Sequence, residues 1–246
     1  MNDRHLPDPS SRSEIDRFLA KVKHNEIAQQ TQPAGRLLFA LDATASREPT
    51  WDHACHLQSQ MFEVSDTLGG LAIQLCYYRS LGEFHTSNWH RSPQALLNEM
   101  NAVRCLAGHT QIERVLNHAL ATQPLNATVF IGDAMEEDAV RLRHLAGKLG
   151  LLGRPVFIFH EGHDAVTRAV FNDIARLSKG ACCPFDINSP DQLRELLGAV
   201  AVYASGGHQA LVEHCKKQQA QGQTRSQQLL QQLEGPASHP VNRDKT

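Results

Sequence analysis

Two aspartates and three hydroxyls in this sequence combine residue type and spacing in a way that can do chemistry. Asp42-Ala-Thr44-Ala-Ser46 puts an oxygen-bearing side chain at every second position, as in a loop that turns the same side inward. Gly108-His109-Thr110 adds a hydroxyl, and Gly132-Asp133 adds a second carboxylate. All three loops are rich in oxygen donors and poor in lysine. Two carboxylates and three hydroxyls around one point suit a hard cation such as Mg²⁺, which prefers near-octahedral oxygen ligation and keeps several waters. Mn²⁺ accepts the same donors. The expected metal ligands are therefore Asp42, Thr44, Ser46, Thr110 and Asp133. Two carboxylates roughly balance the charge of a divalent ion, which stays electrophilic enough for one more anionic oxygen. An exposed Asp or Glu carboxylate of a partner protein is the natural candidate, and such a contact gives orientation and specificity. Gly108 lets the backbone come close without a side-chain clash.

Local readings of the same residues compete with ligation. Thr110 with Glu113 has the form of a capping box, and Asp133 with Glu136 that of an N-cap and its partner. Thr44 and Ser46 can hydrogen-bond to nearby backbone as ordinary loop residues. Glu136, Glu137 and Asp138 follow the site and would repel an acidic ligand from that side. His109 and Arg47 lie beside the ligands in sequence, either lending positive charge to a bound carboxylate or simply solvated.

For these loops to meet, they must end neighbouring strands. Leu37–Leu41 is a continuous apolar run, as expected of a strand buried on both faces. A helix follows at about 51–68, then a strand at Leu71–Tyr78. Leu81-Gly82 makes a turn into a short antiparallel edge strand at Glu83–Thr86. Ser92-Pro93 starts a helix, with Ser as N-cap and Pro at the first helical position. A further helix runs from Thr110 to about Ala121. Strands are expected at Ala127–Ile131, Pro155–Phe159 and Cys182–Phe185. Between them lie helices striped by Leu142, Leu145, Ala146 and Leu149, and then by a segment from Asp164 to Ser178. Ser189-Pro-Asp-Gln192 offers a capping box for a helix reaching about Tyr203. This alternation implies an α/β fold: a doubly wound, mostly parallel six-stranded sheet with one antiparallel edge strand and helices on both faces. In such sheets ligands bind beyond the carboxyl ends of the strands, where the strand order reverses. Residues 1–34 read as an N-terminal extension with a short amphipathic helix over Ser13–Lys23. Residues 35–204 read as the domain. Residues 205–246 read as a Gln-rich extension, helical near Ala210–Glu213 and Leu229–Leu233 and disordered at its end.

Over Gly35–Tyr203 the sequence resembles the von Willebrand factor type A (VWA) family. That family's metal-ion-dependent adhesion site is D-x-S-x-S, then a Thr in a separate loop, then an Asp after the fourth strand. Asp42, Thr44 and Ser46 match the first motif, Thr110 the second and Asp133 the third; Thr44 stands where the family has its first Ser. The resemblance implies direct ligation by the hydroxyls and water-mediated ligation by the aspartates. It also implies an antiparallel third strand and a partner carboxylate as ligand. Bacterial intracellular members often work with ring-forming ATPases or chelatase-like machines, so a partner in an ATPase complex is a further implication. No G-x-x-x-x-G-K-[ST] is present, so ATP hydrolysis would come from elsewhere.

Bulk properties fit this reading. The 246 residues carry a formal net charge of -2, which gives no basic excess for nucleic acid. No apolar run is long enough to span a bilayer, and the polar start lacks a signal-peptide segment, so a cytoplasmic location is expected. Six cysteines without a C-x-x-C pair suggest reduced core thiols. His160-Glu-Gly-His163 is not the H-E-x-x-H zinc arrangement. The rival reading is a Mg²⁺-dependent phosphatase resembling the haloacid dehalogenases, with Asp42 as nucleophile and Asp133 and Asp138 in the acidic motif. Their first motif is D-x-D, and here Thr44 replaces the general acid, a group that contributes about 10² to 10⁴ in rate. A non-enzymatic role is therefore expected. A metal-free scaffold, binding through the N-terminal helix or the Gln-rich tail, is the third reading.

Overall fold

The computed structural model describes residues 35–186, 190–220 and 225–234. Apolar runs without polar alternation form the centre of its sheet. β1 (Gly35–Asp42), β4 (Ala127–Gly132) and β5 (Val156–Glu161) are almost wholly buried. β2 (Leu71–Arg79) flanks β1, β3 (Glu83–His90) forms one edge and β6 (Cys182–Phe185) the other. The order is β3-β2-β1-β4-β5-β6, with only β3 antiparallel to its neighbour. The chain leaves β1 toward β2 and later returns to β1's other side as β4. The switch point therefore lies between β1 and β4, with the loops carrying Asp42 and Asp133 at its carboxyl end.

Side chains of β1 alternate between two cores, as the strand period requires. Leu37, Phe39 and Leu41 join one core; Leu38 and Ala40 join the other. The first core is covered by α1 (Glu48–Ser65), α2 (Pro93–Asn101), α6 (Pro190–Gln219) and α7 (Arg225–Glu234). The second is covered by α3 (Ile112–Ala121), α4 (Ala139–Leu151) and α5 (Ala165–Ser178). Helices on both faces and one antiparallel edge agree with the expected fold class.

Several boundaries differ from the sequence reading for local reasons. β3 runs to His90, past the expected Thr86, because Ser87 bridges a bulge: its hydroxyl accepts the Leu75 N–H at 2.9 Å across a register shift between Gln74 and Cys76. α1 begins at Glu48, with Pro49 in its first turn. α6 continues past Tyr203 and is broken at Gly207, whose φ of 73° only glycine adopts readily. Beyond the break Leu211 and Cys215 are buried, and α7 buries Leu229. The Gln232 side chain donates to the Cys182 carbonyl and accepts from its N–H, at 2.9 and 2.8 Å, satisfying part of the β6 edge. All six cysteines are free thiols, including Cys182 and Cys183. The expected helix at 13–23, the Ser189 cap and residues 235–246 lie outside the described residues. No helix among the described residues is long and apolar enough to cross a membrane.

Candidate functional site

Asp42 ends β1 and is 3% exposed. Its Oδ1 accepts the Thr44 N–H at 2.7 Å, an Asx-turn that bends the chain out of the strand. Its Oδ2 accepts the Tyr78 hydroxyl at 3.2 Å, from the residue opposite it on β2. The carboxylate is thus fixed in orientation with further lone pairs to spare. Burial pushes the Asp42 carboxyl up, and the nearby Asp133 carboxylate adds to this, against the bonds from Thr44 and Tyr78. Tyr78, fully buried, is pushed well up by burial and then by the charges of Asp42, Glu137 and Asp133. One phenol therefore feels carboxylates from both sides of the switch point.

Thr44 Oγ1 lies 3.5 Å from Ser46 Oγ, and Ser46 Oγ donates to Asp133 Oδ2 at 3.4 Å. These contacts are long for hydroxyl hydrogen bonds. They chain Thr44, Ser46 and Asp133 together beside Asp42, but hold the hydroxyls loosely.

Thr110 is placed differently. Gln111, not Thr110, is the N-cap of α3, and its side chain makes no cap bond. The Thr110 hydroxyl donates to Glu137 Oε2 at 2.5 Å and accepts the Glu136 N–H at 2.9 Å. Glu137 Oε1 in turn accepts the Ile112 and Glu113 N–H groups at the start of α3. Neither capping box suggested by sequence forms: Glu137, from the loop after β4, caps α3, and Asp138 caps α4 by accepting from Val140 and Arg141. Glu136 Oε2 accepts the Thr110 N–H at 3.0 Å and pairs with His109 Nδ1 at 2.9 Å; these contacts hold its carboxyl below the usual range. The acidic run after Asp133 is thus engaged with the Thr110 loop and with helix starts, not held as free outward anions. The structure joins Thr110 to the β4–α4 loop, while Asp42, Thr44, Ser46 and Asp133 form the other cluster. With its proton directed to Glu137 and one lone pair taken by Glu136, the Thr110 oxygen keeps a lone pair to offer. Outer carboxylates orient metal ligands in the same way.

Gly108 is needed for a different close approach than the sequence suggested. A Cβ there would fall 2.1 Å from the Ser80 carbonyl oxygen, so the Thr110 loop packs directly on the β2–β3 turn.

Arg47 corrects the expectation of a solvated side chain. It is 4% exposed, and Nη1 lies 3.0 Å from Asp133 Oδ2. Nη2 contacts both Glu161 Oε2 and Thr50 Oγ1, and Thr50 Oγ1 donates to Glu161 at 2.7 Å. Glu161, the last residue of β5, is a third strand-end carboxylate that sequence reasoning missed. Its signal was its place after an apolar run, the same placement that singled out Asp42 and Asp133.

The donor chemistry suits a hard divalent ion. The donors are oxygens only, two of them carboxylates, with hydroxyls loosely bound or oriented by outer carboxylates. Among the described residues no three His, Cys, Asp or Glu side chains gather as a metal cage, so an ion here would rely on the hydroxyls. Asp133 Oδ2 is the contested donor, because Ser46 and Arg47 both hold it.

No protein-family model matches the sequence, nor does any curated protein. Solved structures do match. The SpRpn10 VWA domain superposes with a TM-score of 0.51 at 12% identity, over 66% of this chain and 96% of that one. Proximal thread matrix protein 1 from the mussel byssus, in a form with a zinc-occupied MIDAS motif, gives 0.52 at 12% identity over 69% of this chain and 47% of that one. The pilus adhesin SpaC from Lactobacillus rhamnosus GG gives 0.53 at 10% identity, over 70% and 30%. The chain spans less than half the length of the mussel proteins it matches. At these identities the likeness concerns fold alone, and with the strand order, the antiparallel edge and the two helical layers it assigns this chain the VWA fold.

Proposed function

We propose that this chain is a divalent-cation-dependent protein-binding module. Asp42, Thr44, Ser46, Thr110 and Asp133 would hold Mg²⁺ or Mn²⁺, and the ion would take an Asp or Glu carboxylate from a partner protein. The observation that carries the reading is the oriented, buried Asp42 beside loosely held hydroxyls and Asp133 at the sheet's switch point. Burial raises the free energy of the ionised Asp42, and a cation lowers it again. The zinc-occupied motif of the mussel protein supports the reading by analogy of fold. A cytoplasmic partner, including one in an ATPase complex, is part of the same proposal.

The phosphatase reading finds less support. Thr44 offers no proton shuttle, and the third strand-end carboxylate, Glu161, is engaged by Arg47 and Thr50. Turnover of a generic aryl phosphate, abolished by Asp42→Asn, would favour it over our proposal.

Calorimetric titration with Mg²⁺ and Mn²⁺ tests the metal, comparing wild type with Thr110→Ala and Asp133→Ala. Saturable heat in wild type and its loss in both variants is expected; no heat in any protein supports the metal-free scaffold. Pull-downs from lysate with and without EDTA, and with an Asp42→Ala bait, test the partner. Proteins lost on chelation and absent from that bait are the expected result.

A further inference from the structure

The contest for Asp133 leads beyond metal binding as such. A buried guanidinium is costly unless paired. Arg47 is paired on two sides, to Asp133 just after β4 and to Glu161 at the end of β5. Its Nε has no partner among the described residues, so the fork is held by its two terminal nitrogens alone. Asp133 Oδ2, the oxygen nearest Ser46, is the one Arg47 takes.

We propose that Arg47 is a built-in competitor for the ion: its guanidinium occupies the Asp133 oxygen that faces Ser46, so that an ion taking that oxygen, directly or through a water, separates the Arg47–Asp133 pair, and Arg47 thereby sets the metal affinity. This rests on the metal-site reading above. Glu161 and Thr50 supply the resting place. When Asp133 turns to an ion, Arg47 keeps a carboxylate and a hydroxyl, so the separation strands no buried charge. Arg47 thus sets an affinity threshold: weakly binding cations fail to displace it, and strongly binding ones do.

Mn²⁺ is the probe, because free Mn²⁺ can be counted by electron paramagnetic resonance during titration. Arg47→Gln removes the competitor and should tighten Mn²⁺ binding by about 10-fold or more, the equivalent of losing one charge-assisted hydrogen bond. Glu161→Gln leaves Asp133 as Arg47's only carboxylate partner and should weaken binding. It should do so more than Asp138→Asn, which removes the same charge from the neighbouring loop without touching Arg47. A crystal structure with Mn²⁺ located by its anomalous signal should show Arg47 Nη1 more than 4 Å from Asp133, beyond the 3.0 Å of the pair described above. Unchanged or weaker binding in Arg47→Gln overturns the inference, as does an intact pair beside a bound ion. If Arg47→Gln fails to fold, the Glu161→Gln comparison and the crystal structure decide. Should wild type bind no Mn²⁺ while Arg47→Gln does, the competition stands and the native metal dependence falls. If neither binds, both fall.

Discussion

Glu137→Ala offers a quantitative check on the architecture around Thr110. In place of its own N-cap, α3 begins under a carboxylate borrowed from the loop after β4: Glu137 Oε1 accepts the Ile112 and Glu113 N–H groups, and Oε2 accepts the Thr110 hydroxyl. Removing a side-chain N-cap costs about 0.5–2 kcal/mol. The loss of negative charge at a helix N-terminus adds roughly 0.3–1 kcal/mol. The Thr110 hydroxyl can turn to solvent or to Glu136, so its loss adds little. A total of about 2 kcal/mol follows. At roughly 2–4 °C per kcal/mol for a domain of this size, Tm should fall by about 4–8 °C in circular dichroism melts. Glu137→Gln, whose amide oxygen can still accept, should recover more than half of that. Glu113→Ala, which removes the sequence-based capping partner, should cost less than about 1 °C beyond its exposed ion pair with Arg141. A Glu113→Ala loss as large as that of Glu137→Ala would show that the helix is capped locally and that the borrowed cap is wrong.

Two further perturbations test the close approach at Gly108 and the buried histidines. Gly108→Ala places a methyl against the Ser80 carbonyl at 2.1 Å, which neither backbone can absorb in place. The Thr110 loop must lift from the β2–β3 turn, with a loss of about 1–3 kcal/mol by the usual cost of overpacking and faster amide exchange at Leu106, which now bonds to Ala43. A melt and exchange profile identical to wild type would contradict the close approach. Burial lowers the His118, His160 and His214 imidazoles below their ordinary value. The unfolded chain therefore takes up protons first as pH falls. Their stabilising contribution is complete above about 6.5 and is lost as pH drops through the depressed native values, so Tm should fall between pH 7.5 and 5.5. A His118→Gln, His214→Gln double variant should flatten that slope; an equal slope in both proteins would assign it to other groups.

The strands were legible because burial on both faces leaves a simple mark: uninterrupted apolar runs such as Leu37–Leu41 and Ala127–Ile131. The residues just after them were legible for the same reason, since the doubly wound topology says where to look. What sequence could not supply was which neighbour each polar group chooses. Thr110-x-x-Glu113 satisfies a local capping rule, yet a tertiary carboxylate from Glu137 reaches the same N–H groups and the hydroxyl together. Arg47 looked like a lone surface cation because its partners lie far off in sequence, Asp133 just after β4 and Glu161 at the end of β5. The bulge in the β2–β3 pair depends on Ser87 replacing a backbone acceptor with its side chain, which hydropathy alternation does not encode. Propensity is local, whereas ion pairs between strand ends are set by topology.

These pairings combine into one electrostatic argument. At the carboxyl end of the sheet, Asp42, Asp133, Glu136, Glu137 and Glu161 face Arg47 and His109, so carboxylates outnumber the permanent cation. Arg47 is engaged by Asp133 and Glu161, and among the described residues Asp42 is left with two neutral donors, the Thr44 N–H and the Tyr78 hydroxyl. Burial penalises its charge, and no cation among the described residues touches it. Asp42→Asn should therefore have two opposite effects. Asparagine keeps an oxygen for the Thr44 N–H and presents an NH₂ to the Tyr78 oxygen, so in EDTA the variant should melt no lower than wild type. In saturating Mg²⁺ the order should reverse. Wild type gains RT ln(1 + [L]/Kd), about 2.7 kcal/mol at a hundred times Kd, which is roughly 5–10 °C at the same conversion, while the variant gains little. Parallel melts with and without the ion would thus show curves that cross. If Asp42→Asn is the less stable protein in EDTA as well, Asp42 serves the fold and not an ion, because a carboxylate kept only for packing and turn formation has no reason to be better replaced by its amide.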